Sequence, residues 1–175
     1  MDPVVRPGTM SERERMQEIE VAAGARFADV GLAHIAAHDP FDLDELAAYL
    51  AAGRCWVVDV DGEVAGYAVA DVVGECAHLE QVSVDPECQG RGLGRALVEC
   101  VVVWAADEGF PAVTLTTYRD VAWNAPLYER LGFRALTDDE LTPALRAVVA
   151  TEAEHGLDPA ARVCMRREVS PERRR

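Results

Sequence analysis

None of the 17 basic residues of this chain is a lysine; every one is an arginine. That absence excludes a Walker phosphate loop, whose Gly-x-x-x-x-Gly-Lys element needs an ammonium on the phosphates. Long apolar runs are missing too. Nothing approaches the roughly 20 consecutive apolar residues that span a bilayer, and the polar start, MDPVVRPGTMSERER, lacks the apolar segment of a secretion signal. A soluble, cytoplasmic protein with no membrane partner is expected. The five cysteines are odd in number and widely spaced, with no Cys-x-x-Cys pair, so neither a disulfide framework nor a structural zinc site is expected. Cys88 is the thiol nearest the loop described below, where a small residue also simply fits. His34 and His38 stand four apart, but with no third ligand nearby they make a weak metal pair, and no metal is expected. Positive charge is scarce: the formal net charge is −14, which disfavours nucleic acid and suits solubility or the approach of a cationic amine.

What the chain does have is apolar mass and one glycine-rich turn. With 175 residues, half of them hydrophobic, it can bury one sizeable core, and a single domain over residues 1–169 is expected, followed by a disordered tail at 170–175. Residues 76–109 read as an apolar strand, a loop with Gly90, Gly92 and Gly94, and a strongly apolar helix. Without Cβ atoms, the backbone N–H groups of such a loop can approach phosphate oxygens at the positive end of the following helix. Dinucleotide binding is set aside because the third glycine of Gly-x-Gly-x-x-Gly would fall at Arg95. A phosphorylated cofactor remains.

The flanks supply a frame. A short strand near Val4 to Arg6 precedes a helix capped by Thr9 or Ser11 and ended by Gly31; a second helix follows Asp42 and stops at Gly53. From Arg54 the period becomes strand-like. Strands at 55–60, 64–73 and 76–84 are joined by the Asp61-Gly62 and Gly74-Glu75 turns, with Gly66 marking a close approach of backbone. A helix from about 92 to 108, stopped by Gly109 and Pro111, leads to a strand at 113–117 parallel to the one before the loop. Asn124-Ala125-Pro126 opens a short helix, a strand is expected at 133–136, a helix at 143–154, and a last strand at 162–167.

Two motifs then carry a resemblance. Gln89-Gly90-Arg91-Gly92-Leu93-Gly94 is similar to the Gln/Arg-x-x-Gly-x-Gly/Ala signature of the GNAT superfamily of N-acyltransferases, and Asn124, Tyr128 and Leu131-Gly132-Phe133 resemble its second signature. The resemblance covers residues 55–136. It implies an α/β (α+β) fold: a mixed, mainly antiparallel central sheet flanked by helices, with a parallel βαβ cofactor unit at its centre. It also implies acetyl-CoA as donor, a primary amine on a small molecule or peptide as acceptor, direct attack in a ternary complex, and a monomer or homodimer. A coenzyme A-binding sensor or structural subunit of the same fold is the alternative.

By the same resemblance, backbone N–H groups near Val82 and Val84 bind the pantetheine arm and acetyl oxygen, and Gln89, Gly90, Arg91, Gly92, Leu93, Gly94 and Arg95 hold the pyrophosphate. Asn124 either bonds the cofactor's amide arm or caps its helix. Tyr128 is either the proton donor to the departing thiolate or a core tyrosine. For the base, strand alternation puts His78 and Glu80 on one face. A carboxylate between Leu79 and Val82 needs a partner, so Glu80 is either the base, acting directly or through water, or a buried structural carboxylate; His78 is the second candidate.

Overall fold

The change of period at Arg54 separates a helical segment from a sheet. The computed structural model describes residues 3–169, so the expected tail at 170–175 lies outside the described residues. Seven strands form the sheet: β1 (Val4–Pro7), β2 (Cys55–Val60), β3 (Glu63–Val73), β4 (Cys76–Val84), β5 (Ala112–Tyr118), β6 (Arg134–Ala135) and β7 (Arg162–Glu168), in the order β1-β2-β3-β4-β5-β7-β6. The fold is a mixed α/β one with a mostly antiparallel sheet. Its parallel pair is β4 with β5, matched at Ala77↔Val113 and His78↔Thr114. Among the described residues six α-helices accompany it: α1 (Arg13–Gly24), α2 (Ala33–Ala36), α3 (Leu43–Ala51), α4 (Leu93–Asp107), α5 (Ala125–Arg130) and α6 (Pro143–Glu154). The described residues divide into two compact units, one of residues 3–70 with 81–101 and one of residues 71–80 with 102–169.

The first unit is built on an antiparallel β1-β2-β3 ribbon. Asp61 and Gly62 adopt φ of 53° and 88°, the left-handed pair that a two-residue hairpin requires. Met16 and Ile19 from α1 and Leu46 from α3 pack with Cys55, Val57, Tyr67 and Val69 from β2 and β3, all buried. Each large apolar side chain so buried contributes about 1.5–3 kcal/mol relative to exposure. Asp42 caps α3 as expected, its Oδ1 accepting from Glu45 N at 2.7 Å. The first helix is less regular than its spacing predicts. It opens as a 3-10 turn at Met10–Glu12 and tightens again to 3-10 over Ala25–Val30. Gly31 (φ 78°) ends it, with Leu32 N donating to Phe27 O at 2.9 Å.

The second unit is built on β5 and β7, which pair antiparallel along seven residues from Ala112↔Glu168 to Tyr118↔Arg162. Thr142 Oγ1 accepts from Leu145 N at 3.2 Å and Pro143 occupies the first turn, which fixes the start of α6 where the sequence puts it. The strand expected at 133–136 shrinks to Arg134–Ala135. Phe133 N is taken by Tyr128 O at 3.0 Å, so that residue finishes α5 instead of joining the ladder.

Candidate active site

The glycine loop belongs to the first unit. β4 ends at Val84, Asp85 caps the 3-10 turn at Pro86–Cys88, and α4 begins at Leu93. Gly90 and Gly92 have φ of 77° and 75°, and a Cβ on either would meet no heavy atom within 4 Å. Glycine is needed there for backbone conformation, not for space in the free protein. Gly94 lies inside the helix with ordinary φ, and a Cβ on it would make a 3.8 Å contact with Val84 Cγ2. Ala96 N donates to Gly92 O at 3.0 Å; among the described residues the N–H groups of residues 90–95 have no backbone acceptor. Gln89, Arg91 and Arg95 are exposed on the same turn, Leu93 is buried beneath it, and Val82 and Val84 are half-buried. Unused donors, two guanidinium groups and a helix start fit a pyrophosphate.

The remaining candidates lie in the second unit. His78 is fully buried, its Nδ1 paired with Thr114 Oγ1 at 2.8 Å. Burial lowers its pKa to about 4, so the ring is neutral at physiological pH. Its Nε2 faces Glu80 Oε2 at 3.7 Å, too long for a hydrogen bond. The Glu80 side chain is about a third exposed, at 34%. Desolvation, reinforced by the negative charges of Asp71 and Glu152 and opposed by Arg162, pushes its carboxyl up to about 7. A carboxyl poised near neutrality and open to solvent can take a proton from a substrate; a buried neutral imidazole is poorly placed to do so.

Tyr128 lies on α5 with its ring edge-on to Phe133, centroids 5.7 Å apart, and burial pushes its hydroxyl up to about 12. Asn124 occupies the cap position of α5, but its side chain makes no capping bond. Its Oδ1 accepts instead from Thr117 Oγ1 at 2.8 Å and Tyr118 N at 3.4 Å, which ties the start of α5 to β5.

Beside Glu80 stands a polar network that the sequence reading did not pick out. Thr116 Oγ1 donates to Glu152 Oε1, and Arg162 donates from Nε to Glu152 Oε2 at 3.2 Å and from Nη2 to Thr116 Oγ1 at 3.0 Å. The Arg162 guanidinium also lies 4.7 Å from the Tyr118 ring centroid. Thr114, Thr116 and Tyr118 alternate along β5, so strand period alone could have flagged that face. Glu152 on α6 and Arg162 on β7 have no such signal, because their meeting depends on the β5–β7 register. A cleft of about 720 Å³ opens elsewhere in this unit, lined in part by Cys76, Thr114, Arg134, Arg166 and Leu145, and takes in none of the predicted site residues. Among the described residues no group of His, Cys, Asp or Glu could hold a metal ion, and no helix is long and apolar enough to cross a membrane.

A glycine loop that follows β4 in sequence, and a β4 that pairs in parallel with β5, point to a class of protein. Residues 22–133 match the acetyltransferase (GNAT) family, and the chain belongs to that family. It is similar to the [ribosomal protein bS18]-alanine N-acetyltransferase of Escherichia coli (strain K12), 36% identical over 77 residues, 44% of this chain and 52% of that protein. The chain therefore spans about half the length of this curated relative. Among solved structures, N-acetylglutamate synthase from Neisseria gonorrhoeae, complexed with coenzyme A and N-acetyl-glutamate, has a TM-score of 0.73 at 14% identity, covering 97% of this chain and 36% of that one. Rv2747 from Mycobacterium tuberculosis, in complex with CoA and NLQ, has a TM-score of 0.70 at 19% identity, covering 95% of this chain and 99% of that one. At these identities the likeness is one of fold.

Proposed function

We propose that the chain transfers the acetyl group of acetyl-CoA to a primary amine. The observation that carries this reading is the loop at residues 90–95, with its two left-handed glycines and its backbone N–H groups left without backbone acceptors among the described residues. Those donors, with Arg91 and Arg95, hold the pyrophosphate of coenzyme A, and Gln89 and Leu93 complete the turn. Backbone groups at Val82 and Val84 hold the pantetheine arm and polarise the thioester carbonyl, and Asn124 assists in fixing the arm.

Glu80 is the base. In the ternary complex the neutral amine attacks the acetyl carbon, the C–S bond breaks, and the amine's surplus proton passes to the Glu80 carboxylate directly or through a water. His78, neutral and pinned by Thr114, stays out of the proton transfer and faces the Glu80 carboxyl. Tyr128 serves the leaving sulfur. With its hydroxyl at about 12 it carries its proton across the whole working range, so it donates a hydrogen bond to the thiolate at any pH at which the base is active. The acceptor is read as a primary amine, a reading supported by the alanine N-acetyltransferase among the relatives above. The test is calorimetric titration with acetyl-CoA followed by a screen of amines for free-thiol release. Release with at least one amine supports transfer; tight binding with no release on any amine would make the chain a coenzyme A-binding module, and no binding would overturn both.

A further inference from the structure

The entry to the glycine loop is tied to the rest of its unit at Asp85, whose two carboxylate oxygens do different work. Asp85 Oδ1 accepts from Glu87 N at 3.0 Å and so shapes the 3-10 turn at Pro86–Cys88 that leads into Gln89. Asp85 Oδ2 is held by Arg15 Nη2 at 2.6 Å, from α1 and 70 residues away in sequence. The main chain of Asp85 is fixed as well, its N donating to Ala65 O at 2.8 Å and its O accepting from Cys88 N at 2.9 Å. Arg15 is itself aimed: its Nε donates to Val64 O at 3.1 Å, and Nη1 reaches Glu18 Oε2 at 3.3 Å. Asp85 is 14% exposed and Arg15 39%, whereas Glu18 at 68% adds little.

We propose that Arg15 is a positioning residue for the cofactor loop, acting through Asp85 to hold the loop's entry in the conformation that presents its N–H donors. The inference rests on the acetyl-CoA reading above. Its physical basis is that Gly90 and Gly92 leave the loop free to visit many conformations, so an anion site made of main-chain donors depends on fixed ends. The far end is secured by α4. The near end is secured at Asp85, and Arg15 is the charged partner that keeps its carboxylate in place. Freeing that carboxylate lowers the fraction of molecules with a competent loop, and apparent affinity falls by that fraction while the saturated rate does not.

The experiment compares the full chain with Arg15→Met, Arg15→Lys, Asp85→Ser and the double variant Arg15→Met/Asp85→Ser, measuring coenzyme A affinity by calorimetry and the KM and kcat for acetyl-CoA. Serine retains an oxygen for Glu87 N while removing the charge that Arg15 holds. Arg15→Met and Asp85→Ser each raise Kd and KM about fivefold with kcat within twofold, Arg15→Lys recovers part of the loss, and the double variant is no worse than either single. Unchanged affinity in both single variants, a loss confined to kcat, or additive losses in the double variant would overturn the inference while leaving the acetyl-CoA reading intact. A native chain that binds no coenzyme A overturns that reading and this inference together. Should Arg15→Met fail to fold, Asp85→Ser and Arg15→Lys carry the same comparison.

Discussion

His78 Nε2 stands 3.7 Å from Glu80 Oε2, and the two groups are shifted in opposite directions by burial, the imidazole down to about 4 and the carboxyl up to about 7. At pH 7 the pair is therefore a neutral ring beside a carboxyl that still holds part of its proton, not an ion pair. With Glu80 as base, kcat/KM rises with pH through an acid limb near 7, well above an ordinary carboxylate, and Glu80→Gln lowers turnover about 100-fold or more and abolishes the limb. A pH–rate profile from 5 to 9 checks this; a limb near 4.5 would remove Glu80 from the role.

The same shift has a consequence for stability of opposite sign to the usual carboxylate. Because the folded carboxyl binds its proton more tightly than the unfolded one, the contribution of Glu80 to stability is most favourable below about pH 4.5 and falls as pH rises toward 7. Glu80→Gln removes that loss. The variant melts several degrees above the native chain at pH 8, at ~2–4 °C per kcal/mol, and the gap closes near pH 4.5. Thermal melts at both pH values measure it, and a gap independent of pH would contradict the linkage. If Glu80 is the base, its ionisation at working pH is the stability–activity trade expected of a functional site.

Tyr128→Phe separates the leaving-group role from a packing role. The ring contact with Phe133, edge-on at 5.7 Å, survives loss of the hydroxyl. Turnover of acetyl-CoA falls about 100-fold, KM for acetyl-CoA stays within a few-fold, and the melting temperature changes by less than about 2 °C. Equal turnover in native and variant protein would return Tyr128 to the core.

Much of the fold is legible in the sequence, and the reasons are local. Asp61-Gly62, the Asp42 cap, Pro143 and the glycines that end helices each dictate a backbone conformation by their own chemistry, so the hairpin, α3 and α6 fall where expected. The glycine loop was legible for the same reason. Alternation correctly made His78 and Glu80 neighbours, but it could not tell that the histidine is sealed off while the glutamate reaches solvent, since both sit on one strand face. Arg15 and Asp85, or Glu152 and Arg162, were silent because each pair is assembled from distant elements, and neither residue type nor spacing announces the partner.

The three loop glycines are not equivalent. Gly90 and Gly92 hold left-handed φ, so Gly92→Ala places strain of about 1 kcal/mol in the loop and narrows the approach of a phosphate, raising the coenzyme A dissociation constant tenfold or more. Gly94→Ala adds a methyl at an ordinary 3.8 Å from Val84 Cγ2 within a helix, where alanine is favoured by about 1 kcal/mol. Its affinity stays within about threefold and its melting temperature rises. Calorimetry on the two variants side by side checks the contrast, and equal loss of binding in both would mean that the loop needs small residues rather than left-handed ones.

Gly66 tests the strand that leads into the loop. It pairs with Val58 at the point where the β2–β3 register shifts, and a Cβ there would sit 2.9 Å from the carbonyl oxygen of Ser83, 3.1 Å from Val58 Cγ1 and 3.3 Å from Leu97 Cδ1. Side chains can give a few tenths of an ångström, but the Ser83 oxygen belongs to the backbone of β4, between the two valines assigned to the pantetheine arm. Gly66→Ala therefore destabilises by about 1–3 kcal/mol and also weakens acetyl-CoA binding, because relief of the clash has to move that strand. Gly24→Ala is the control. It lies at φ −65° with no heavy atom within 4 Å of an added Cβ, so the same substitution stabilises by up to about 1 kcal/mol and leaves binding unchanged. Melting curves and coenzyme A titrations of the two variants decide the matter: destabilisation by Gly66→Ala with native affinity would show that β4 can yield without disturbing the cofactor arm, and would remove Val82 and Val84 from its binding.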